Sequence, residues 1–271
     1  MKIISYRSGL LLKKFIEKDK QCFTFDEAMT ALQHGSATSV RELLSDMTKR
    51  GLLMRVKKGT YYIIPYEQDA DQFIPNWHLL ASCLSGDTSH YIGYYSALQI
   101  HGLITQPSLH EMIVVNKQIR PSTMKVKNVD FQFIYHNQKH FFGAKKTWID
   151  SYHKVLCSDL EKTFIDCLFK LEYSGGIVEI AKALHAAQNK LDYKKLLKYC
   201  IQFDSQAVLK RLGYIHDILD IQNPIREELL KIKTSSVVSL DTELPNEGKY
   251  SGTWSIKENL DAETIKGAIL T

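Results

Sequence analysis

Residues 36–63 constrain the fold more than any other stretch of the chain, because they join a periodic helix to a basic hairpin. Val40, Leu44 and Met47 recur at helical spacing, which predicts one buried face of a helix that begins after Ser36. Gly51 ends the periodic stretch, and a basic β-hairpin follows in residues 54–63. This order of elements is typical of a winged helix-turn-helix.

The residues before this stretch predict two further helices. Thr24 and Glu27 form a Thr-x-x-Glu capping box, which favours a helix that starts near Phe25 and ends near Gln33. His34-Gly35 would then be the short turn between the two helices. Further upstream, helical spacing is shown by Leu11, Leu12, Phe15 and Ile16.

A helix of this kind fits the DNA major groove, which is about 12 Å wide. Arg41 can bind a guanine edge through two hydrogen bonds, and Glu42 can accept one from a cytosine amino group. The predicted base-reading residues are Ala37, Thr38, Ser39, Arg41, Glu42 and Ser45. Phosphate contacts, which position a protein without reading sequence, are predicted for Lys49, Arg50, Arg55, Lys57 and Lys58.

The distribution of charge favours DNA over other partners. Residues 1–66 contain twelve Lys and Arg against six Asp and Glu, a net charge of +6, whereas the whole chain carries +5. The basic character is therefore local, as a phosphate-facing surface requires. Two alternatives stay open: the lysines form a solvated face, or the unit binds another protein.

Composition narrows the class of protein. With 271 residues and 44% hydrophobic content, the chain is long enough for two domains with cores. No apolar run approaches the roughly 20 residues of a membrane span, and Lys13-Lys14 interrupts the N-terminal apolar stretch, so we expect neither a membrane association nor a signal peptide. Reduced thiols in a cytoplasmic protein are expected for Cys22, Cys83, Cys157, Cys167 and Cys200.

The expected fold class is α+β, with the winged helix-turn-helix in residues 1–66 and a larger mixed α/β domain in residues 67–271. Pro65 ends the hairpin, and the polar residues 66–72 read as a linker. Within the second domain we expect a mixed sheet over about residues 90–157, helices over about 158–232 and an extended tail. Ser158 and Glu161 would form the capping box of the first of these helices.

A second basic cluster occupies residues 117–146 and contains Lys117, Arg120, Lys125, Lys127, Lys139, Lys145 and Lys146. Only Asp130 opposes them there, so the segment carries +6. It could hold DNA that extends from the first domain, or attract RNA or an acidic partner. It could equally be the lysine-rich surface of a hairpin.

Catalytic motifs are missing from the sequence. Phosphate-binding glycine loops, HExxH and GxSxG are all absent, and Asp69-x-Asp71 lies in the linker. His136 and His140 are four residues apart, but we expect them in a surface loop rather than on a metal. His101 is expected to contact carbonyls at the end of its helix. We therefore predict no enzyme activity, cofactor or metal, while a nuclease or another enzyme carrying a winged helix remains the alternative.

Several patterns together resemble the AbiEi family of antitoxins. In the first domain the similar stretch is Gly51-Leu52-Leu53-x-Arg55-Val56-x-x-Gly59-Thr60-Tyr61-Tyr62. In the second domain it comprises Tyr91-Ile92-Gly93-x-x-Ser96-Ala97-Leu98-x-x-His101-Gly102-Leu103, Ile113-Val114-Val115, Phe142-Gly143, Ser158-x-x-Glu161-Lys162-Thr163-x-x-Asp166-x-Leu168, Leu240-Asp241 and Trp254. The resemblance covers nearly the whole chain.

The resemblance implies an autorepressor and antitoxin of a type IV, abortive-infection toxin-antitoxin system. The first domain would bind inverted repeats in its own promoter as a monomer or a weak dimer. The second would counteract an AbiEii-like nucleotidyltransferase toxin without forming a stable complex with it. The alternative is a general winged-helix transcription factor whose second domain senses a ligand or a partner.

Overall fold

The fold is α+β and divides into two compact units. The computed structural model describes residues 4–33, 35–104, 106 and 108–269. The first unit ends at Asp87 and the second begins at Thr88, whereas the sequence places the boundary after residue 66. Over the described residues, no helix is both long and apolar enough to cross a membrane.

Within its described residues, the first unit contains four helices and a three-stranded antiparallel sheet. In chain order its elements are α1 (Tyr6–Ile16), β1 (Cys22–Thr24), α2 (Phe25–Leu32), α3 (Ala37–Lys49), β2 (Leu53–Lys57), β3 (Thr60–Ile63) and α4 (Trp77–Ser85). The strand order is β1-β3-β2, so the hairpin pairs with β1 through β3.

Local sequence accounts for the start of the helices in this unit. Thr24 and Glu27 form the predicted capping box of α2, and the Ser36 side chain accepts a hydrogen bond from the amide of Ser39 at the start of α3. His34 of the predicted turn lies outside the described residues. Val40, Leu44 and Met47 are fully buried, which confirms the predicted inner face of α3.

A disulfide joins the two ends of this unit and corrects the expectation of five reduced cysteines. Cys22 on β1 is bonded to Cys83 on α4, at a sequence separation of 61. Two cysteines so far apart form no recognisable motif, so the sequence alone does not predict that they pair. The helix α4 packs against β2 and β3, which is why the unit extends to Asp87. Cys157, Cys167 and Cys200 are free and buried.

The second unit opens with a six-stranded mixed sheet. Its elements are β4 (His90–Ile92), α5 (Tyr94–Ile100), β5 (His110–Val115), β6 (Thr123–Val126), β7 (Val129–Tyr135), β8 (Ala144–Trp148) and β9 (Lys154–Ser158). The strand order β6-β7-β5-β4-β9-β8 places β5 parallel to β7 and β4 parallel to β9. The remaining neighbours are antiparallel, so β6 and β8 form the two edges.

Helices follow the sheet, as predicted. They are α6 (Leu160–Phe169), α7 (Gly176–Ala187), α8 (Tyr193–Phe203), α9 (Gln206–Ile218) and α10 (Arg226–Ile232). The side chains of Asp192 and Ser205 cap α8 and α9 by accepting from the amides of Lys195 and Val208. The N-cap of α6 is Asp159 and not Ser158: the Asp159 carboxylate accepts from the amide of Lys162, while Glu161 accepts from the amide of Asp192.

The C-terminal segment is more regular than the extended tail expected from the sequence. It contains β10 (Val238–Ser239), β11 (Lys249–Ser251), β12 (Ile256–Glu258) and α11 (Ala262–Ile269). Trp254 is 1% exposed and lies so close to Gly213 on α9 that a Cβ there would come within 2.2 Å of the indole. Close approach of this kind requires glycine, so the tail is part of the core of the second unit.

Candidate nucleic-acid interface

The outer face of α3 is a continuous stripe of exposed side chains. Its exposed members are three or four residues apart, which is the spacing of one helix face, and they are Thr38, Arg41, Glu42, Ser45, Asp46 and Lys49. The helix has 13 residues, so it is about 20 Å long. The stripe carries two cations, two hydroxyls and two carboxylates, and one of these carboxylates, Asp46, pairs with Arg50. The cations and hydroxyls can bind base edges or phosphates, and the Glu42 carboxylate can bind base edges.

The first turn of α3 is held by contacts from the neighbouring helix. The Arg7 guanidinium on α1 donates to the Ser39 hydroxyl over 2.9 Å. Ala37 and Ser39 are half-buried, so they are less accessible than the rest of the predicted base-reading set. Arg7 is exposed, and the sequence analysis did not include it among the candidate DNA-binding residues. The spacing of residues within one helix does not show that α1 lies beside α3.

Arg41 on α3 and Arg50 at its C-terminus differ in how accessible they are to a DNA ligand. The Arg41 guanidinium lies 5.0 Å from the centre of the Phe25 ring, a cation–π contact, and Arg41 is exposed. Arg50 instead pairs with Asp46 over 2.6 Å and donates to the Ser8 hydroxyl over 3.0 Å. Because only 21% of its side chain is exposed, Arg50 joins α3 to α1 rather than facing outward.

The cations of the β2–β3 hairpin also differ in how accessible they are. Arg55 and Lys58 are exposed, whereas the Lys57 ammonium donates to the Leu84 carbonyl at the end of α4 over 2.6 Å. Burial lowers the pKa of Lys57. Gly59 at the hairpin turn has φ 75°, a conformation that favours glycine, and its carbonyl accepts from the amide of Phe25 over 2.7 Å.

Charge in the first unit is uneven. Residues 67–87 add four acidic side chains and no Lys or Arg, namely Glu67, Asp69, Asp71 and Asp87. The complete unit therefore carries a net charge of +2, and its cations are concentrated in the first 58 residues. A positive surface in this unit is thus a local property of the helices and the hairpin.

The second basic cluster of the sequence is divided by the sheet order. Lys117 and Arg120 lie between β5 and β6, Lys125 lies on β6 and Lys127 in the turn that follows. Lys145 and Lys146 lie on β8 at the opposite edge, five strand spacings or about 24 Å away. Lys139 pairs with Asp204 over 2.6 Å. The seven cations do not form one patch.

The interior of the second unit contains a buried charged network. The Lys162 ammonium on α6 donates to the Asp166 carboxylate and, over 3.0 Å, to the Tyr91 hydroxyl. The Tyr91 hydroxyl in turn donates to the second Asp166 oxygen over 3.0 Å. Burial raises the pKa of Asp166 and lowers that of Lys162, and each group partly offsets the shift of the other.

Glycines allow the network to close. A Cβ on Gly143 would lie 2.8 Å from the Lys162 side chain, and one on Gly93 would lie 2.8 Å from Val114 and 3.7 Å from Asp166. Five residues of the stretches that resemble the AbiEi pattern therefore pack together here, namely Tyr91, Gly93, Gly143, Lys162 and Asp166. Their close packing indicates a role in the fold of the second unit.

His136 and His140 belong to this interior and not to a surface loop. His136 is 1% exposed, and its Nε2 accepts from the Tyr94 hydroxyl over 2.6 Å. The His140 ring stacks on Phe203 with 3.9 Å between ring centres. Burial, reinforced by the Lys162 charge, lowers the pKa of His136 to about 3, so its ring is neutral although Asp166 is 3.8 Å away.

No group of three or more metal-binding side chains occurs within residues 4–33, 35–104, 106 and 108–269. The Nε2 of His101 donates to the Ser158 carbonyl over 2.9 Å, a contact to a strand and not to its own helix end. A cavity of about 250 Å³ lies beside the ends of β5 and β7. Its lining comprises Val115, Gln118, Ile119, Arg120, Ser122, Phe133 and Tyr135.

The fold is similar to a solved one. The crystal structure of the Rv2827c protein from Mycobacterium tuberculosis superposes with a TM-score of 0.66, covering 94% of this chain and 92% of that chain at 15% sequence identity. Similarity at this level of identity concerns the fold alone. The sequence matches no family model and no curated protein.

Proposed function

We propose that the first unit is a winged helix-turn-helix that binds double-stranded DNA. In this proposal α3 enters the major groove and the β2–β3 hairpin lies along the phosphates. The observation that carries it is the exposed stripe of α3, which is backed by a fully buried apolar face and flanked by the exposed cations Arg55 and Lys58.

The contacts divide by chemistry. Arg41 and Glu42 have the donors and acceptors that read guanine and cytosine edges, and Thr38 and Ser45 can bond to any base. Lys49, Arg55 and Lys58 would contact phosphates, and Arg7 is a fourth candidate for this role. Four phosphate contacts would lower affinity on the order of a hundredfold between 50 and 200 mM salt.

The test is a binding titration with the DNA upstream of the gene and with random duplex of equal length. We expect tighter binding to the upstream DNA and a steep decrease with salt. Arg41→Ala should weaken binding and also reduce the preference for the upstream sequence, whereas Lys58→Ala should weaken binding to both duplexes alike. Equal affinity for both duplexes in the unaltered protein would contradict sequence-specific binding.

We further propose that the chain acts as an autorepressor and as the antitoxin of a type IV toxin-antitoxin system. The support is the resemblance to the AbiEi pattern, whose residues in the second unit include the connected network around Lys162 and Asp166. The partner would be a nucleotidyltransferase-like toxin encoded beside this gene, counteracted without a stable complex. Symmetric operator halves would be bound by monomers or a weak dimer.

Co-expression tests this part separately. Cells that express the adjacent gene should stop growing, and residues 88–271 alone should restore growth without repressing the promoter. The Arg41→Ala variant serves as the matched control, because it should lose repression while it retains the relief of toxicity. Growth arrest that the chain does not relieve would rule out the antitoxin role and leave DNA binding intact.

A ligand-sensing transcription factor is the second candidate, and the cavity beside β5 and β7 is the observation that favours it. Arg120, Gln118 and Ser122 provide polar groups, and Phe133 and Tyr135 provide aromatic walls, a mixture that small-molecule sites share. A metabolite that changes DNA affinity in the unaltered protein but not in Arg120→Ala would support this candidate. The absence of a nucleotidyltransferase gene nearby would support it as well.

A further inference from the structure

The β8–β9 hairpin forms one edge of the six-stranded sheet and presents an unusual set of side chains. In its register Lys146 is paired with Leu156, and Trp148 is paired with Lys154. Directly paired residues project from the same face of a sheet, so these four side chains form one surface. All four are exposed, and we call them, with Tyr152 at the tip, the hairpin face.

Two aromatic rings of the hairpin face are largely open to solvent. Trp148 is 57% exposed and Tyr152 is 85% exposed. The Lys154 ammonium lies 4.1 Å from the centre of the Trp148 ring, a cation–π contact that keeps a positive charge beside the indole. An exposed tryptophan next to an ammonium combines a stacking surface with a phosphate-binding group.

Asp150 is the only acidic residue of residues 144–158, and it lies in the turn of the hairpin. Asp150 accepts hydrogen bonds from the amides of Tyr152 and His153 and from the His153 ring. These bonds, that from the Tyr152 amide first, lower the pKa of Asp150. The carboxylate therefore stays ionised and is bound within the turn, while the paired strands of the face carry the cations Lys146 and Lys154.

We propose that the hairpin face binds a single-stranded polynucleotide. Bases would stack on Trp148 and Tyr152, and Lys146 and Lys154 would contact the phosphates, the combination found in proteins that bind single strands with little sequence preference. The site uses second-unit residues only and does not depend on duplex binding by α3.

Other occupants fit this surface less well. Lysines on an edge strand oppose the addition of a further strand, and both Lys145 and Lys146 lie on β8. A membrane-binding face would need a wide apolar surface. In the hairpin face Leu156 is the only aliphatic side chain, and it and Trp148 are each paired with a lysine.

The experiment measures fluorescence anisotropy of labelled single strands of about 12 nucleotides, as RNA and as DNA, with the full chain. Loss of one stacking ring should weaken binding by about fivefold to a hundredfold in Trp148→Ala and in Tyr152→Ala, and Trp148→Phe should restore most of it. Lys146→Ala should reduce the salt dependence of log affinity by about 0.7. The relative affinity of the two strands identifies the preferred polynucleotide.

Lys139→Ala is the matched control, because Lys139 is exposed but pairs with Asp204 away from the hairpin, and it should bind as the unaltered protein does. The altered side chains are exposed, so circular dichroism should report unchanged folding. Unchanged affinity in Trp148→Ala would overturn the proposal, as would binding to vesicles with anionic lipids in place of single strands. Duplex binding should respond to Arg41→Ala and not to Trp148→Ala, which separates the two sites.

Discussion

Lys57 and Lys58 are adjacent in the sequence, yet they have different surroundings in the folded chain. The Lys57 ammonium is bonded to the Leu84 carbonyl at the end of α4, and Lys58 is exposed beside the hairpin turn. In the sequence the two residues look like equivalent cations. The sequence does not show that α4 packs against the hairpin and supplies an acceptor for one of them. Arg50, paired with Asp46, is a similar case.

The two lysines should therefore respond differently to substitution. Lys58→Ala is expected to leave stability unchanged and to reduce the slope of log affinity against log salt by about 0.9. Lys57→Met removes a partly exposed hydrogen bond and should cost about 1 kcal/mol of unfolding free energy, with a smaller effect on the slope. Urea denaturation and DNA titration of the two variants would check this. A larger slope change for Lys57→Met than for Lys58→Ala would reverse the assignment.

Lys162 and Asp166 form an ion pair whose side chains are fully buried. Lys162→Met would leave the Asp166 carboxylate buried without its cation, which costs roughly 3–5 kcal/mol. The double variant Lys162→Met with Asp166→Leu should recover part of that loss, because the unpaired charge is also removed. Urea denaturation of both variants measures the difference. If the double variant were no more stable than the single one, the charge would not be the source of the loss.

His136 should make the second unit sensitive to acid. In the unfolded chain its ring binds a proton below about pH 6.5, whereas burial lowers its pKa to about 3 in the folded chain. Between these values the unfolded chain binds more protons, so stability should fall as the pH decreases, by at most about 1.4 kcal/mol per pH unit. His136→Gln should show a flatter profile in thermal unfolding between pH 6.5 and 4. An unchanged profile would mean that other groups cause the loss.

At the scale of elements, the sequence predicts best what is encoded locally. Thr24 and Ser36 cap α2 and α3 as expected, because a cap needs only its own side chain and an amide two or three residues away. The edge strands β6 and β8 were not predicted, since short strands with exposed lysines show no apolar alternation. The N-cap of α6 was predicted one residue too early, at Ser158 in place of Asp159. Serine and aspartate are equally good capping residues, so the sequence does not distinguish them.

The Cys22–Cys83 disulfide is the element-scale feature with the largest expected effect on stability. A loop of about 60 residues closed in the unfolded chain corresponds to roughly 4 kcal/mol in the chain-entropy description. Reduction should therefore lower the melting temperature of the first unit, and three thiols should be alkylated in the unfolded protein before reduction and five after it. Cys22→Ser with Cys83→Ser is the control, since its melting temperature should not depend on the reductant. Five thiols in the unreduced protein would contradict the bond.

At the scale of the whole molecule, the sequence predicts the α+β class but not the extent of the first unit. The polar residues 66–72 look like a linker, yet the chain continues into α4, which contacts the hairpin and is bonded to β1. The sheet order is equally hidden, because it depends on which strands meet in space. The exposed face of α3 could be predicted from the sequence, because its buried and its exposed positions both follow the helical period.

Fragments of the chain should reflect the extent of the first unit. A fragment of residues 1–87 is expected to fold and to bind duplex DNA, whereas residues 1–66 lack Cys83 and the Leu84 carbonyl. The shorter fragment should be less stable by several kcal/mol, mostly through loss of the disulfide. Thermal unfolding of both fragments under non-reducing conditions would measure this. Equal stability of the two would show that α4 contributes nothing to the fold of the unit.

The order of strands in the second unit has a consequence for solubility. Both edges of the sheet carry exposed lysines, Lys125 on β6 and Lys145 and Lys146 on β8, and like charges on bare strand edges discourage neighbouring copies from joining into longer sheets. Replacing all three with threonine would remove that protection, and the protein should then aggregate at concentrations where the unaltered chain stays dispersed.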